Sequence, residues 1–182
     1  MSDCCVWPVN ANQNEEANGE SYFTLAVAGN GAKSTAAQTN RCPACGQKGK
    51  KVDGLTLKAM LDMSLLALRD VPYLFCRTPD CLVVYFATDG AQSFTKDQIR
   101  VLVHQKESAD DNVPACYCFR QSPATIRAEW LATGQSTVVE EINSGIQAGQ
   151  CACEVRNPQG SCCLGNVSQV VKQVEQEINI FA

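Results

Sequence analysis

The sequence predicts an α+β fold in which a small β-rich module is followed by an all-helical one. Three observations predict it. The 12 cysteines fall in separate groups: a doublet (Cys4, Cys5), a quartet (Cys42, Cys45, Cys76, Cys81) and a sextet (Cys116, Cys118, Cys151, Cys153, Cys162, Cys163). Apolar runs around the quartet are strand-sized, whereas those after Cys118 recur at helical spacing. The length of 182 residues with 45% hydrophobic content suits one or two domains. The organisation read from these groups is a flexible tail over 1–40, a β-rich module over 41–107, a linker over 108–114 and a helical module over 115–182. Each module is near the size at which a hydrophobic core alone is marginal and a metal staple helps.

Taken in order, the tail is rich in Asn, Gln, Ala, Gly and Ser, with one apolar stretch, Tyr22–Ala28, that can add an edge strand. The first module opens with the knuckle Arg41-Cys-Pro-Ala-Cys-Gly46, and Lys51–Val52 reads as a short strand. Thr56 is placed to cap an amphipathic helix through Leu57, Met60, Leu61 and Leu65. Tyr73–Cys76 and Leu82–Ala87 read as strands, Thr88-Asp-Gly90 as a hairpin turn and Arg100–His104 as a further strand. The acidic, proline-closed stretch Glu107–Pro114 is the seam between modules. Beyond it, Ser122–Pro123 is an N-cap with proline at the first helical position, leading into Ile126 and Trp130. Thr137-Val-Val-Glu140 has capping-box spacing and opens a helix through Ile142 and Ile146. After Gly165, residues Val167, Val170, Val171, Val174 and Ile178 share one helical face.

Composition excludes several classes. With 15 basic against 19 acidic side chains the formal charge is −4, unlike the basic face of a nucleic-acid binder. No apolar run approaches the roughly 20 residues needed to span a bilayer, so no membrane partner is expected. The first residues lack the basic and apolar regions of a signal peptide, which points to a cytoplasmic protein. In that reducing compartment cysteines bind metal rather than form disulfides. An enzyme is not expected, since a lone histidine, His104, makes no Ser/His/Asp or Cys/His constellation and no P-loop is present. At most, a metal-reducing activity remains open.

The quartet has zinc-ribbon spacing, Cys42-x-x-Cys45 and Cys76-x4-Cys81. Each short turn lets two sulfurs converge on one ion, and four thiolates leave no open position for chemistry. Asp80, beside Cys81, is the alternative oxygen ligand. The sextet differs, with Cys116-x-Cys118 entering one helix and Cys151-x-Cys153 and Cys162-Cys163 preceding the last. Unpaired N–H groups at helix starts suit an anionic thiolate centre. All-cysteine ligation favours soft metals, an iron–sulfur cluster or Cu(I), and from spacing alone a second zinc fits too.

The stretch CYCF…SPATIRAEW…VVEEINSGIQAGQCACEVRNPQGSCCLGNV resembles the bacterioferritin-associated-ferredoxin-like [2Fe–2S] domain. Together with the preceding CPACG…YLFCRTPDCLVVYF, it resembles the zinc and [2Fe–2S] module of CopZ-type copper chaperones, over about residues 41 to 178. The resemblance implies a zinc-ribbon-like module followed by an all-helical [2Fe–2S] module. It maps the opening C-x-C ligands onto Cys116 and Cys118. Simple members close the site with C-x-x-C before the last helix, whereas this chain has C-x-C, the insertion Glu154–Ser161, and C-C. In the fold that it resembles, the last ligand is followed four residues later by a core-facing apolar residue. Counting from Cys163 reaches Val167, then Val170 at seven, whereas Cys162 gives Asn166, so the resemblance favours Cys163 over Cys162 as last ligand. Cys153 is taken as the third, with Cys151 its alternate.

The implied function is metal homeostasis, with a structural zinc and a redox-active cluster serving electron transfer, Cu(II) reduction or copper handling. Metal ions are the expected partners, alongside a copper transporter or a redox protein. Cys4 and Cys5 are candidate Cu(I) thiolates. The alternatives are a ferredoxin-like carrier for a separate oxidoreductase and a non-redox scaffold holding two zinc ions.

Overall fold

The computed structural model describes residues 39–181. Cys4, Cys5 and the Tyr22–Ala28 stretch lie outside the described residues.

Four short strands form an antiparallel sheet in sequence order: β1 (Lys50–Val52), β2 (Tyr73–Phe75), β3 (Val83–Ala87) and β4 (Ser93–Thr95). Lys50 pairs with Phe75, Tyr73 with Ala87 and Val83 with Thr95, so the two central strands carry most of the apolar surface. Alternation along β2 sends Tyr73 and Phe75 to one face and Leu74 to the other. The register of β3 against β4 slips between Val83 and Tyr85. Such a bulge resets the alternation. Tyr85 and Ala87 therefore join the core under the helix, while Val83 and Phe86 face the cysteine quartet. Gly90, at a φ of 72°, closes the β3–β4 turn as its sequence signal predicts.

Helix α1 (Gly54–Met60) covers the first face with Leu57 and Met60. It begins earlier than the Thr56 cap expected from sequence, because Asp53 Oδ1 accepts the Leu55 N–H at 2.8 Å. Thr56 is instead fully buried. The helix stops before Leu65 because Leu61 leaves it to bridge Ile99, and the Arg100 N–H bonds the Met60 carbonyl at 2.9 Å. That same pairing keeps Arg100–His104 from becoming a strand. The segment crosses the end of α1, drives Val103 into the core and ends in a 3-10 turn at His104–Lys106. Residues 107–113 form consecutive turns, with Val113 buried.

The remainder is helical: α2 (Pro123–Thr133), α3 (Val138–Gln147), α4 (Cys153–Arg156) and α5 (Leu164–Phe181). Ser122 caps α2 as expected, and its partner in a reciprocal capping box is Thr125. Thr137 does not form the box expected with Glu140. Its N–H and hydroxyl both bond Glu129 of α2, at 2.8 and 2.7 Å, a stronger charge-assisted acceptor already held beside it. Ile126, Val138, Ile142, Val167, Val170 and Val174 make the helical core, and the buried thiols of Cys116 and Cys163 belong to it. Helix α1 packs against α4, joining sheet and helices.

Candidate metal centres

All ten described cysteines are free thiols, and they gather at two places. At the first, the chain turns sharply between Arg41 and Lys48, which bridge each other. Gly46, at a φ of 70°, makes that turn, and its N–H bonds the Cys42 carbonyl at 2.8 Å. Cys42 and Cys45 thus point the same way. Opposite them, Cys76 continues β2 and Cys81 precedes β3, with the Cys81 N–H on the Thr78 carbonyl at 3.3 Å. The four sulfurs lie within 4.8 Å of one another. Cys42 Sγ is 3.8 Å from Cys81 Sγ, and Cys45 Sγ is 3.6 Å from Cys76 Sγ. Thiolates about 2.3 Å from a tetrahedral zinc stand about 3.8 Å apart, so the donor set fits zinc without rearrangement. Asp80 is exposed and outside this group.

Burial pushes the Cys42 thiol up to about 12 and raises Cys81 as well. Cys45 goes the other way, down to about 6, because the Thr78 hydroxyl donates to its sulfur at 3.3 Å. A metal entering this site therefore displaces protons from the buried thiols. Behind Thr78 stands Lys106, buried, with Nζ donating to the Thr78 carbonyl at 2.7 Å. Neither Thr78 nor Lys106 carries a sequence signal, since both act through neighbours brought close only by folding.

At the second place, Cys116 and Gln121 exchange backbone hydrogen bonds of 3.0 and 3.1 Å, making a tight loop that presents Cys116 and Cys118. Phe119 anchors the loop on Gly145 of α3, where any Cβ would stand 2.4 Å from the ring. Cys153 opens α4, and Cys163 precedes α5, its carbonyl accepting the Val167 N–H at 3.1 Å. Cys118 Sγ lies 3.9 Å from Cys153 Sγ and accepts the Ala152 N–H at 3.3 Å. Cys116 faces Cys163, whose thiol pulls it down to about 6, while the same contact and burial push Cys163 up. Burial raises Cys153 to about 12. Among the described residues, the quartet is the one group whose ligand atoms all lie within 4.8 Å. At this second place Cys118 and Cys153 meet sulfur to sulfur, and the buried Cys116 and Cys163 belong to the helical core against which that pair packs. Cys151 is half-buried and Cys162 exposed. His104 is not a member of the quartet group.

Among the described residues, no helix is long and apolar enough to cross a membrane. No curated protein matches the chain in sequence. The family described as a CopZ zinc binding domain matches residues 39–100. Among solved structures, the chain is similar to the N-terminal domain of Archaeoglobus fulgidus CopZ, with 29% identity and a TM-score of 0.61. That likeness covers 71% of this chain and 96% of that one. By these comparisons the chain is similar over residues 39–100 to a family of zinc binding domains, and it resembles in structure the N-terminal domain of a CopZ protein.

Proposed function

We propose that the chain is a metal-homeostasis protein in which a closed zinc site supports a redox-active [2Fe–2S] centre. The observation that carries this reading is the different grouping of the two sulfur sets. Four sulfurs within 4.8 Å suit one ion. Cys118 with Cys153, and the buried Cys116 and Cys163 beside them, would hold a two-iron cluster, to which all-thiolate ligation is suited. Likeness to a CopZ N-terminal domain over 71% of the chain supports the same reading.

The group, when bound, supplies one-electron exchange. The residues contribute the rest. Ile126, Ile142 and Val167 keep water from the inner side, and the Ala152 N–H offers a hydrogen bond to Cys118 sulfur, a lever on potential. One electron from a reduced donor protein, passed on to Cu(II), yields Cu(I). Cys151, Cys162, Cys4 and Cys5 are the proposed thiolates to hold that soft ion.

Anaerobic mixing of the chemically reduced protein with Cu(II) tests this. Reoxidation of the centre with one Cu(I) formed per electron is expected. A reduced centre that persists beside Cu(II) would refute copper reduction, and Cu(I) that a competing chelator strips equally from the Cys4→Ser/Cys5→Ser variant would refute the doublet's role.

A further inference from the structure

The ligand loops of the second centre are each fastened to the sheet side by a tyrosine hydroxyl. Tyr85, on β3, is fully buried and donates to the Pro158 carbonyl at 2.6 Å. Pro158 lies in the insertion Glu154–Ser161, between Cys153 and Cys163. Around it, Gly160 approaches α1 so closely that a Cβ would stand 2.8 Å from Thr56 Oγ1. Asn157, buried, ties the loop together by donating from Nδ2 to the Ser161 carbonyl at 2.7 Å. Lys50 Nζ from β1 reaches Ser161 Oγ at 2.6 Å. On the other ligand loop, Tyr117 stands between Cys116 and Cys118. Its hydroxyl donates to the Leu102 carbonyl at 2.8 Å and accepts the His104 N–H at 2.9 Å. Both partners sit in the segment that closes the sheet module.

We propose that Tyr85 and Tyr117 are positioning residues that couple the zinc-bearing sheet to the second centre, each setting the placement of two of its four thiols. This rests on the reading of Cys116, Cys118, Cys153 and Cys163 as cluster ligands. The insertion that separates Cys153 from Cys163 is then the tether itself, docked on β3 and α1. Loss of the Tyr85 hydroxyl leaves a buried carbonyl unpaired and frees the loop that spans two ligands. Coupling of this kind is reciprocal: a sheet loosened by zinc loss loosens the cluster ligands, and a filled cluster protects the zinc.

The experiment compares the full metal-loaded chain with Tyr85→Phe, Tyr117→Phe and Tyr73→Phe. Tyr73 is the control, since it lies on the same sheet core but bonds Gln92, away from both ligand loops. Expected for Tyr85→Phe and Tyr117→Phe are unchanged zinc content, a broadened EPR spectrum of the reduced centre, and about tenfold faster bleaching by an iron chelator. Tyr73→Phe should bleach at the wild-type rate. Wild-type bleaching in both test variants, or equal acceleration in all three, overturns the proposal. Hydrogen exchange at the Val155, Arg156, Asn157 and Gly160 amides gives a readout independent of iron. Exchange there should quicken in zinc-loaded Tyr85→Phe, and unchanged protection overturns the tether. A wild-type chain that holds no iron refutes the cluster reading, and this exchange comparison then still decides whether Tyr85 anchors the loop.

Discussion

The Thr78 hydroxyl is the smallest feature with a measurable consequence. It donates to Cys45 sulfur at 3.3 Å, and Cys45 is the quartet thiol held low, near 6. Thr78→Val keeps the shape and removes the donor. Partners of ligands commonly contribute ten- to hundredfold to metal affinity. We predict zinc binding weakened by roughly tenfold, read by competition with a chromophoric chelator. His104 gives a pH effect of defined sign. Burial lowers its pKa below 6.5, and a hydrogen bond to the Val113 backbone only partly offsets this. Below about 6.5 the unfolded chain takes up a proton that the folded chain resists, so the folded state loses stability as pH falls through that window. His104→Gln should flatten this part of the stability–pH curve, measured by denaturant unfolding between pH 7 and 5. The cavity that His104 lines also holds Arg77, Asp111, Arg127 and Glu177, which the substitution leaves in place.

At the scale of the elements, α3 shows steric fit overriding helix propensity. Gly145→Ala gains about 1 kcal/mol of propensity. The new Cβ would stand 2.4 and 2.5 Å from Phe119 ring atoms, however, and overpacking of this kind costs ~1–3 kcal/mol. The clash should win, giving a lower denaturation midpoint together with a displaced Cys116–Phe119 loop. Ser122→Ala, which breaks the α2 capping box, should cost about 1 kcal/mol without touching either centre. The elements that sequence reveals best are those written in local chemistry. Ser122–Pro123, the Gly90 turn and the valine stripe of α5 all act within one or two turns of chain. The β3 bulge, the capture of Thr137 by Glu129 and the early exit of Leu61 from α1 were hidden. Each depends on a partner in another element, brought close only by folding, which no periodicity records.

For the described molecule, the quartet and the sextet visible in sequence correspond to two spatial gatherings. Spacing brings Cys42, Cys45, Cys76 and Cys81 into view, since two knuckles supply converging sulfurs. The sextet is less legible, because C-x-C and C-C do not say which sulfurs face inward. Folding separates them by burial: Cys116 and Cys163 enter the helical core, while Cys162 remains exposed. The tie between the halves was invisible, because Tyr85 and Pro158 are 73 residues apart. The central claim, a zinc site beside a two-iron centre, is tested most directly by one visible absorption spectrum with metal and sulfide analysis of anaerobically purified protein. The account predicts a coloured protein with one zinc, two irons and two sulfides per chain, the colour surviving Cys162→Ser and lost in Cys153→Ser. A colourless protein holding two zinc ions and no iron would contradict it.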